Sequence, residues 1–234
     1  MIKSPSDTEL VHGHRERLRD RFVQRKMMPF EHFELMLAGV IPRRDVRKLT
    51  QRLIKHFGGM YNILTAPLDA LIEFPGLGRA SAIAIKNLQE LYICALEERF
   101  RYDQIFYNDK SLHDYCRMLV GGKPIEEFHV LYLGYDRRLL NHELHSTGNE
   151  TSSDVDIGKI IQHAKNYGAR RVVFVHNHPT PLTSFSPVDR DMTRATYNML
   201  RDVNIELYEH LVVSGDIVYS AVNMHILERH EYDV

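Results

Sequence analysis

The most constraining feature of this chain is the run Arg171–His178, where four apolar residues lead directly into His-Asn-His. A β-branched apolar run of this length predicts a buried strand. Residues 156–166 and 186–202 each repeat apolar side chains on one helical face. Strands and helices mixed in this way predict an α/β (α+β) fold, with helices flanking a mixed sheet.

The other segments predict further strands of this α/β region and a separate helical region. Residues 127–146 read as two strands joined by a turn near Tyr135 and Asp136, and residues 205–222 read as closing strands. Residues 14–98 read instead as helices. The charged stretch 99–106 lacks strong periodicity and predicts a linker. We therefore expect a helical domain over 1–100 and an α/β domain over 101–234.

Composition narrows the class of protein. The 234 residues are 44% hydrophobic, which is enough for two cores. We find no apolar run near the ~18 residues that a membrane helix needs, and the N-terminus has no apolar signal segment. The two cysteines, Cys94 and Cys116, lack metal-type spacing. These features predict a cytoplasmic protein without a membrane partner.

The net charge of -1 conceals an uneven distribution. Residues 1–100 carry 16 Lys+Arg against 12 Asp+Glu, whereas the remainder carries 14 against 19. Residues 41–60 alone hold six basic groups and one acid, Asp45. Such a basic segment is typical of a surface for an anionic partner, although a solvated helix face gives the same pattern.

The hairpin sequence Phe74-Pro75-Gly76-Leu77-Gly78 lies between two predicted helices and looks like a helix-hairpin-helix element. Gly76 and Gly78 allow a tight turn. The next helix begins near Arg79, where backbone N–H groups can accept a phosphate, and Lys86 adds a positive charge two turns later. These residues predict DNA binding without sequence preference. The alternative is a protein-docking domain.

The strongest chemical signal is the spacing H-x-H-P-x6-S-x2-D. His176 and His178 are two positions apart at the end of a strand, so both imidazoles point to one face. Asp189 begins the next predicted helix, and the loop between can return its carboxylate to the same ion. Two histidines and one carboxylate, with a position left for water, predict one catalytic Zn²⁺ per chain.

Each of these residues also has a purely structural interpretation. Ser186, Pro187 and Asp189 form a good helix start, with Ser as N-cap and an acid at N3. Other His-x-His enzymes fit less well. Amidohydrolase barrels need some hundreds of residues after the motif, and only 56 follow His178. Metallo-β-lactamases place Asp-His where Thr180-Pro181 stands.

The motif of His176, His178, Ser186 and Asp189 resembles that of JAMM metallopeptidases, also called JAB or MPN proteins. Together with three N-terminal segments, it makes almost the whole chain similar to the RadC family. Those segments are residues 12–22 (HGHRERLRDRF), 41–45 (IPRRD) and 74–78 (FPGLG). The resemblance implies a JAMM domain that follows a helical domain along the chain. The name of the family refers to DNA repair.

The resemblance also implies roles. The segment from Glu143 to Gly148 resembles the glutamate-bearing strand of the family, so Glu143 is expected to be the general base. Glu150 and His145 remain alternatives, because a register error would exchange them. Ser186 is expected to stabilise the oxyanion. Two segments depart from the family: Thr180–Thr183 lacks the usual Gly and Asp, and Val155–Lys159 replaces a Val-His-Pro-Arg-Glu stretch.

Three functions follow as expectations. The first is zinc-dependent hydrolysis of a peptide or isopeptide-like amide in a protein substrate. The second is a DNA-binding accessory role in repair or recombination, in which the JAMM domain is regulatory. The third is a nuclease or another hydrolase that uses the same zinc-activated water. A complete ligand set favours an enzyme.

Overall fold

The computed structural model describes residues 7–42, 44–102, 109–148, 155–180 and 183–228. The chain divides into two compact units, Met1–Glu90 and Leu91–Val234. Of the predicted linker, residues 99–102 are helical and 103–106 lie outside the described residues. Within the described residues, no helix has both the length and the apolar character needed to cross a membrane.

The first unit is helical. Its elements are α1 (Asp7–Val23), α2 (Pro29–Val40), α3 (Arg47–Phe57), α4 (Met60–Thr65), α5 (Leu68–Glu73) and the first half of α6 (Arg79–Tyr102). Leu37, Leu53, Ile63, Leu71 and Ile85 are fully buried and form its core. Helix α3 ends where Gly58 takes a left-handed conformation, as the Phe57-Gly58 sequence predicts.

The second unit contains the sheet. It comprises the end of α6, α7 (Asp109–Val120), β1 (Glu127–Leu133), β2 (Leu139–Thr147), α8 (Ile157–Tyr167), β3 (Arg171–Asn177), α9 (Pro187–Arg201), β4 (Glu206–Ser214) and β5 (Ile217–Ser220). The strand order is β2-β1-β3-β4-β5. Among the described strands, only β3 and β4 pair in parallel, and α9 connects them. The other neighbours are antiparallel.

Both faces of this sheet are covered. Helices α8 and α9 pack on the face that carries Phe128, Phe174 and Val212, whereas α7 packs against β3 and β4. Burial on both faces explains why β3 is an uninterrupted apolar run, since neither side of the strand meets water. The mixed sheet with flanking helices behind a helical region confirms the predicted fold class.

Helix α7 is an element that the sequence analysis did not predict. Its residues Leu112, Tyr115, Cys116 and Leu119 are all buried and recur at helical spacing. Charged residues on the opposite face lower the mean hydropathy of the segment, so it does not stand out as an apolar run, although its spacing is that of an amphipathic helix.

Candidate metal centre

Strand β3 delivers the two histidines. His176 is the last but one residue of the strand, and His178 is the first residue after the strand ends. His176 is fully buried and His178 is partly exposed. Their Nε2 atoms lie 3.1 Å apart, so the strand brings both rings to one point, as the i, i+2 spacing predicts.

Asp189 joins them from the first turn of α9. Its Oδ1 is 3.5 Å from His176 Nε2, and its Oδ2 is 3.5 Å from His178 Nε2. Ser186 is also the N-cap: it accepts from Asp189 N, while its own N and Oγ donate to Asp189 Oδ2 at 2.7 and 2.6 Å. The helix-cap and ligand interpretations are therefore compatible, because the cap holds the carboxylate facing the histidines.

Glu126 is the group that the sequence analysis missed. It precedes β1, and Glu126, His176 and His178 each offer one ligand atom within 4.8 Å of one another. Its segment is fixed on two sides. Gly148 N donates to Glu126 O at 3.0 Å, and the buried Asn177 side chain accepts from Glu127 N at 2.9 Å while donating to Ile125 O at 2.9 Å.

The Nδ1 atom of each histidine, on the side of the ring away from the site, also has a hydrogen-bond partner. His176 Nδ1 lies 3.0 Å from Nε2 of the buried His210. His178 Nδ1 lies 3.1 Å from Thr183 Oγ1 and 3.3 Å from Thr183 O. Thr183 belongs to the loop that departs from the family pattern, so this loop contacts His178.

Burial and close charges shift the acid–base groups of the site. Burial raises the pKa of Glu126, although the two histidines oppose it. Burial also works against ionisation of Asp189, but the neighbouring His176 and His178 side chains outweigh it and hold the pKa of Asp189 far below its usual range. The bond to Asp189 raises the pKa of His178, whereas burial lowers that of His210.

The structure does not bring Glu143 to the histidines. Glu143 lies on β2, which is separated from β3 by β1, a distance of about 10 Å between strand axes. Its carboxylate accepts from His163 Nδ1 at 2.7 Å, from Tyr167 OH at 2.5 Å and from Tyr132 OH at 3.2 Å. These bonds outweigh its partial burial and lower the pKa of Glu143.

The two alternatives to Glu143 are placed differently. His145 Nε2 accepts from Asp156 N at 3.1 Å, which ties β2 to the start of α8. Glu150 lies outside the described residues.

A topological signal would have indicated Glu126. Since β1 runs antiparallel to β3, the start of β1 lies beside the end of β3, and Phe128 pairs with His176. An acid just before β1 therefore reaches the histidines, whereas an acid in the middle of β2 does not. The sequence shows two acids there, Glu126 and Glu127, but does not show which strands are neighbours.

The predicted DNA-binding residues all lie in the first unit. Gly76 has a φ of 93°, and a side chain there would meet Arg44 at 3.2 Å, so the turn requires glycine. Arg79 is exposed at the start of α6, and a side chain at Gly78 would meet open space. Lys86 Nζ donates to Leu64 O at 3.0 Å, so its ammonium is tied to the helical core.

The comparisons with known proteins agree with this architecture. The family model described as the RadC-like JAB domain matches residues 106–226. A UPF0758 protein of Ruegeria pomeroyi is 29% identical over 213 residues, which cover 90% of this chain and 95% of the relative. This second alignment covers both units and includes the positions of all four residues of the site, Glu126, His176, His178 and Asp189. This chain belongs to the RadC-like JAB domain family.

Proposed function

We propose that this protein is a zinc-dependent hydrolase that cleaves a peptide or isopeptide-like amide. The observation that carries the proposal is the convergence of His176, His178, Asp189 and Glu126 at the end of β3. Among the described residues, no lysine or arginine forms an ion pair with Asp189 or Glu126. Two carboxylates beside two imidazole nitrogens, with no lysine or arginine paired to them, form a set that an external cation can bind.

The separations between these atoms fit zinc. Tetrahedral bonds of about 2.1 Å place neighbouring ligand atoms about 3.4 Å apart. His176 Nε2 and His178 Nε2 are 3.1 Å apart, and each lies 3.5 Å from a different oxygen of Asp189, Oδ1 for His176 and Oδ2 for His178. We assign these three residues as the ligands. Bound there, zinc supplies Lewis acidity and lowers the pKa of a bound water toward neutrality.

Glu126 is the general base in this proposal, in place of Glu143. Its raised pKa, caused first by burial, moves the carboxyl toward the range in which it can take a proton and return it near neutral pH. Gly148 and Asn177 fix the backbone on either side of it. Its carboxylate accepts the water proton and then donates it to the leaving nitrogen.

Ser186 is assigned to hold Asp189. Its hydroxyl hydrogen is donated to Asp189 Oδ2, at a distance of 2.6 Å. A hydroxyl has one hydrogen, so binding an oxyanion requires that hydrogen to turn away from Asp189. Orienting the ligand needs no such rearrangement, and it is the role that these contacts support.

The test is a screen of the full chain against peptide, isopeptide-linked and DNA substrates, with and without a chelator. Amide hydrolysis that is lost with the chelator and in Glu126→Gln supports the proposal. Cleavage of DNA alone indicates a nuclease. Zinc binding without any hydrolysis contradicts the proposal and favours a regulatory domain.

We propose nucleic-acid binding by the first unit as a second function. Arg52 donates to Pro75 O at 2.9 Å and Arg44 to Gly76 O at 3.3 Å, which fixes two cations against the hairpin. Lys55, His56 and Phe74 line the same cavity as Arg52, and Glu73 is the one acid among its lining residues. This surface suits a phosphate backbone, which Arg and Lys contact without reading sequence.

Fluorescence anisotropy with labelled DNA tests this function in the full chain. Affinity should fall steeply between 50 and 200 mM salt, because binding releases counterions. Lys55→Glu should weaken binding, whereas Lys110→Glu, whose lysine pairs with Asp114 in the second unit, should not. Equal affinities for both variants would contradict the assignment.

A further inference from the structure

A line of buried hydrogen bonds runs from one metal ligand to another behind the site. Thr193 Oγ1 donates to the backbone carbonyl of Asp189 at 2.5 Å. The same oxygen lies 2.7 Å from His210 Nδ1. His210 Nε2 then lies 3.0 Å from His176 Nδ1. Thr193 and His210 are both fully buried, so water does not interrupt the line.

The direction of each bond follows from the carbonyl. Because a carbonyl oxygen only accepts, the single hydrogen of the Thr193 hydroxyl belongs to Asp189 O. Thr193 Oγ1 must then accept the hydrogen of His210 Nδ1. A neutral His210 with hydrogen on Nδ1 has a lone pair on Nε2, which accepts from His176 Nδ1–H. The hydrogen of His176 therefore stands on Nδ1, and its Nε2 lone pair faces His178 and Asp189.

The surroundings of His210 keep it neutral. Its ring centroid lies 5.0 Å from that of Phe185, 5.8 Å from Phe174 and 5.9 Å from Phe128. Its two ring nitrogens contact a hydroxyl and another imidazole, and neither contact is a carboxylate. Among the described residues no carboxylate contacts this ring, so an imidazolium in the aromatic enclosure would be a buried charge without a hydrogen-bonded counter-ion, which is costly.

We propose that Thr193 and His210 are positioning residues that set the tautomer and ring orientation of His176 before a metal binds. The inference rests on the proposed zinc site and adds to it two residues outside the ligand motif. It also couples the ligands, because the line begins at the backbone of Asp189 and ends at the ring of His176. Sequence spacing alone gives no sign of this link.

The second histidine provides an internal contrast. His178 Nδ1 meets Thr183 near the surface, and His178 and Thr183 are both partly or fully exposed. Water can replace the Thr183 hydroxyl there. Inside the aromatic enclosure no such replacement is available, so removing the Thr193 hydroxyl should cost far more than removing that of Thr183.

The experiment measures zinc affinity by competition with a chromogenic chelator in four variants. Thr193→Val keeps the shape but removes the hydroxyl, and we expect zinc affinity to fall 10–100-fold, the range typical of lost outer contacts to metal ligands. Thr193→Ser should restore wild-type affinity. Thr183→Val should change it by less than about threefold.

Thr196→Val is the matched control on the same helix. Thr196 is equally buried, and its hydroxyl lies 3.5 Å from Met192 Sδ, away from the line of bonds. A general loss of packing would lower zinc affinity in both valine variants. A loss confined to Thr193→Val, and reversed by serine, supports the proposal; equal affinities in all variants overturn it.

The tautomer itself gives a readout that needs no metal and no substrate. Nitrogen-15 NMR of the metal-free protein should show His176 protonated on Nδ1 in the wild type and in Thr193→Ser, with loss of that single state in Thr193→Val. Hydrogen on His176 Nε2 in the wild type overturns the proposal even if Thr193→Val fails to fold. A protein that shows this tautomer but no hydrolysis would contradict the proposed function and leave the positioning role intact.

Discussion

Two clusters of histidines and carboxylates lie in the second unit, and they are built in opposite ways. One is the metal centre. The other, on the α7 side of the sheet, runs from Lys123 through Glu127, His129 and His142 to Glu97. Glu126 and Glu127 are neighbours in sequence but belong to different clusters. The side chains of these two residues, around the start of β1, therefore contribute to different sites.

The difference lies in where the positive charge comes from. Glu127 has its own donors, Lys123 and His129, and these outweigh its burial and lower its pKa to about 2. His129 Nδ1 and His142 Nε2 lie 2.8 Å apart and form a hydrogen bond. Glu126 has no such donor among the described residues, and burial raises its pKa. The Glu127 cluster contains its own positive charge, whereas no lysine or arginine among the described residues is paired with Glu126 or Asp189 in the metal centre.

Removing a ligand should have the largest effect on this contrast. In His176→Ala, the remaining His178 and Asp189 no longer form a three-ligand set, so zinc content should fall from one per chain to near zero. His129→Ala removes a histidine of the other cluster and should leave zinc content unchanged. Elemental analysis of both purified proteins checks this prediction; a fully loaded His176→Ala would place the metal elsewhere.

Replacing the three glutamates in turn should separate catalysis from structure. Glu126→Gln cannot take a proton, so hydrolysis should fall about 10²–10⁴-fold while zinc is retained. Glu127→Gln and Glu143→Gln should retain both, because their carboxylates bind other partners. Turnover of any substrate found in the screen, with zinc content measured in parallel, decides among them. Activity lost only in Glu143→Gln would restore the expectation drawn from the sequence.

These residues show what the sequence reveals and what it leaves open. The spacing of His176, His178, Ser186 and Asp189 is local: it spans one strand end, one loop and one helix start, so strand alternation and helix capping suffice to predict it. The position of Glu126 depends on which strands are neighbours. The order β2-β1-β3 is set by long-range packing, and no periodicity in the sequence encodes it.

The same limit applies to Thr193 and His210. Each looks like an ordinary core residue of a helix or strand, and their meeting requires α9 to pack across β4. The helical first unit was predictable from periodicity, because its contacts are local. Helix α7 has an apolar face of the same local kind, but the charged residues on its other face keep the segment from standing out as an apolar run.

Asn177 tests how the two clusters are held apart. Its amide bonds Glu127 N, Lys123 O and Ile125 O, so it fixes the segment from which Glu126 and Glu127 diverge. Asn177→Ala should raise hydrogen exchange at the Glu127 amide and lower hydrolysis about tenfold through misplacement of Glu126, with zinc retained. Asn141→Ala, on β2, is the control. Wild-type exchange at Glu127 in Asn177→Ala would show that β1 pairing alone positions the segment.

The smallest effect expected is on stability against pH, and it probes the cluster that is complete without metal. Burial lowers the pKa of His129 below the usual value of 6.5 for a histidine, although Glu127 opposes the shift. The unfolded chain therefore binds a proton at His129 at a higher pH than the folded chain does. This contribution to stability is fully present above pH 6.5 and is lost as the pH falls toward the folded-state pKa, by at most about 1.4 kcal/mol per pH unit.

The free energy of unfolding of the second unit, measured with denaturant at pH 7 and pH 5.5 in the presence of chelator, should fall less in His129→Gln than in the wild type. Lys123 and His142 face the same ring, so Lys123→Met serves as a control that removes a neighbouring charge without removing the titrating group. If the wild type and His129→Gln lose equal stability between the two pH values, the acid sensitivity belongs to other groups and the cluster does not titrate with folding.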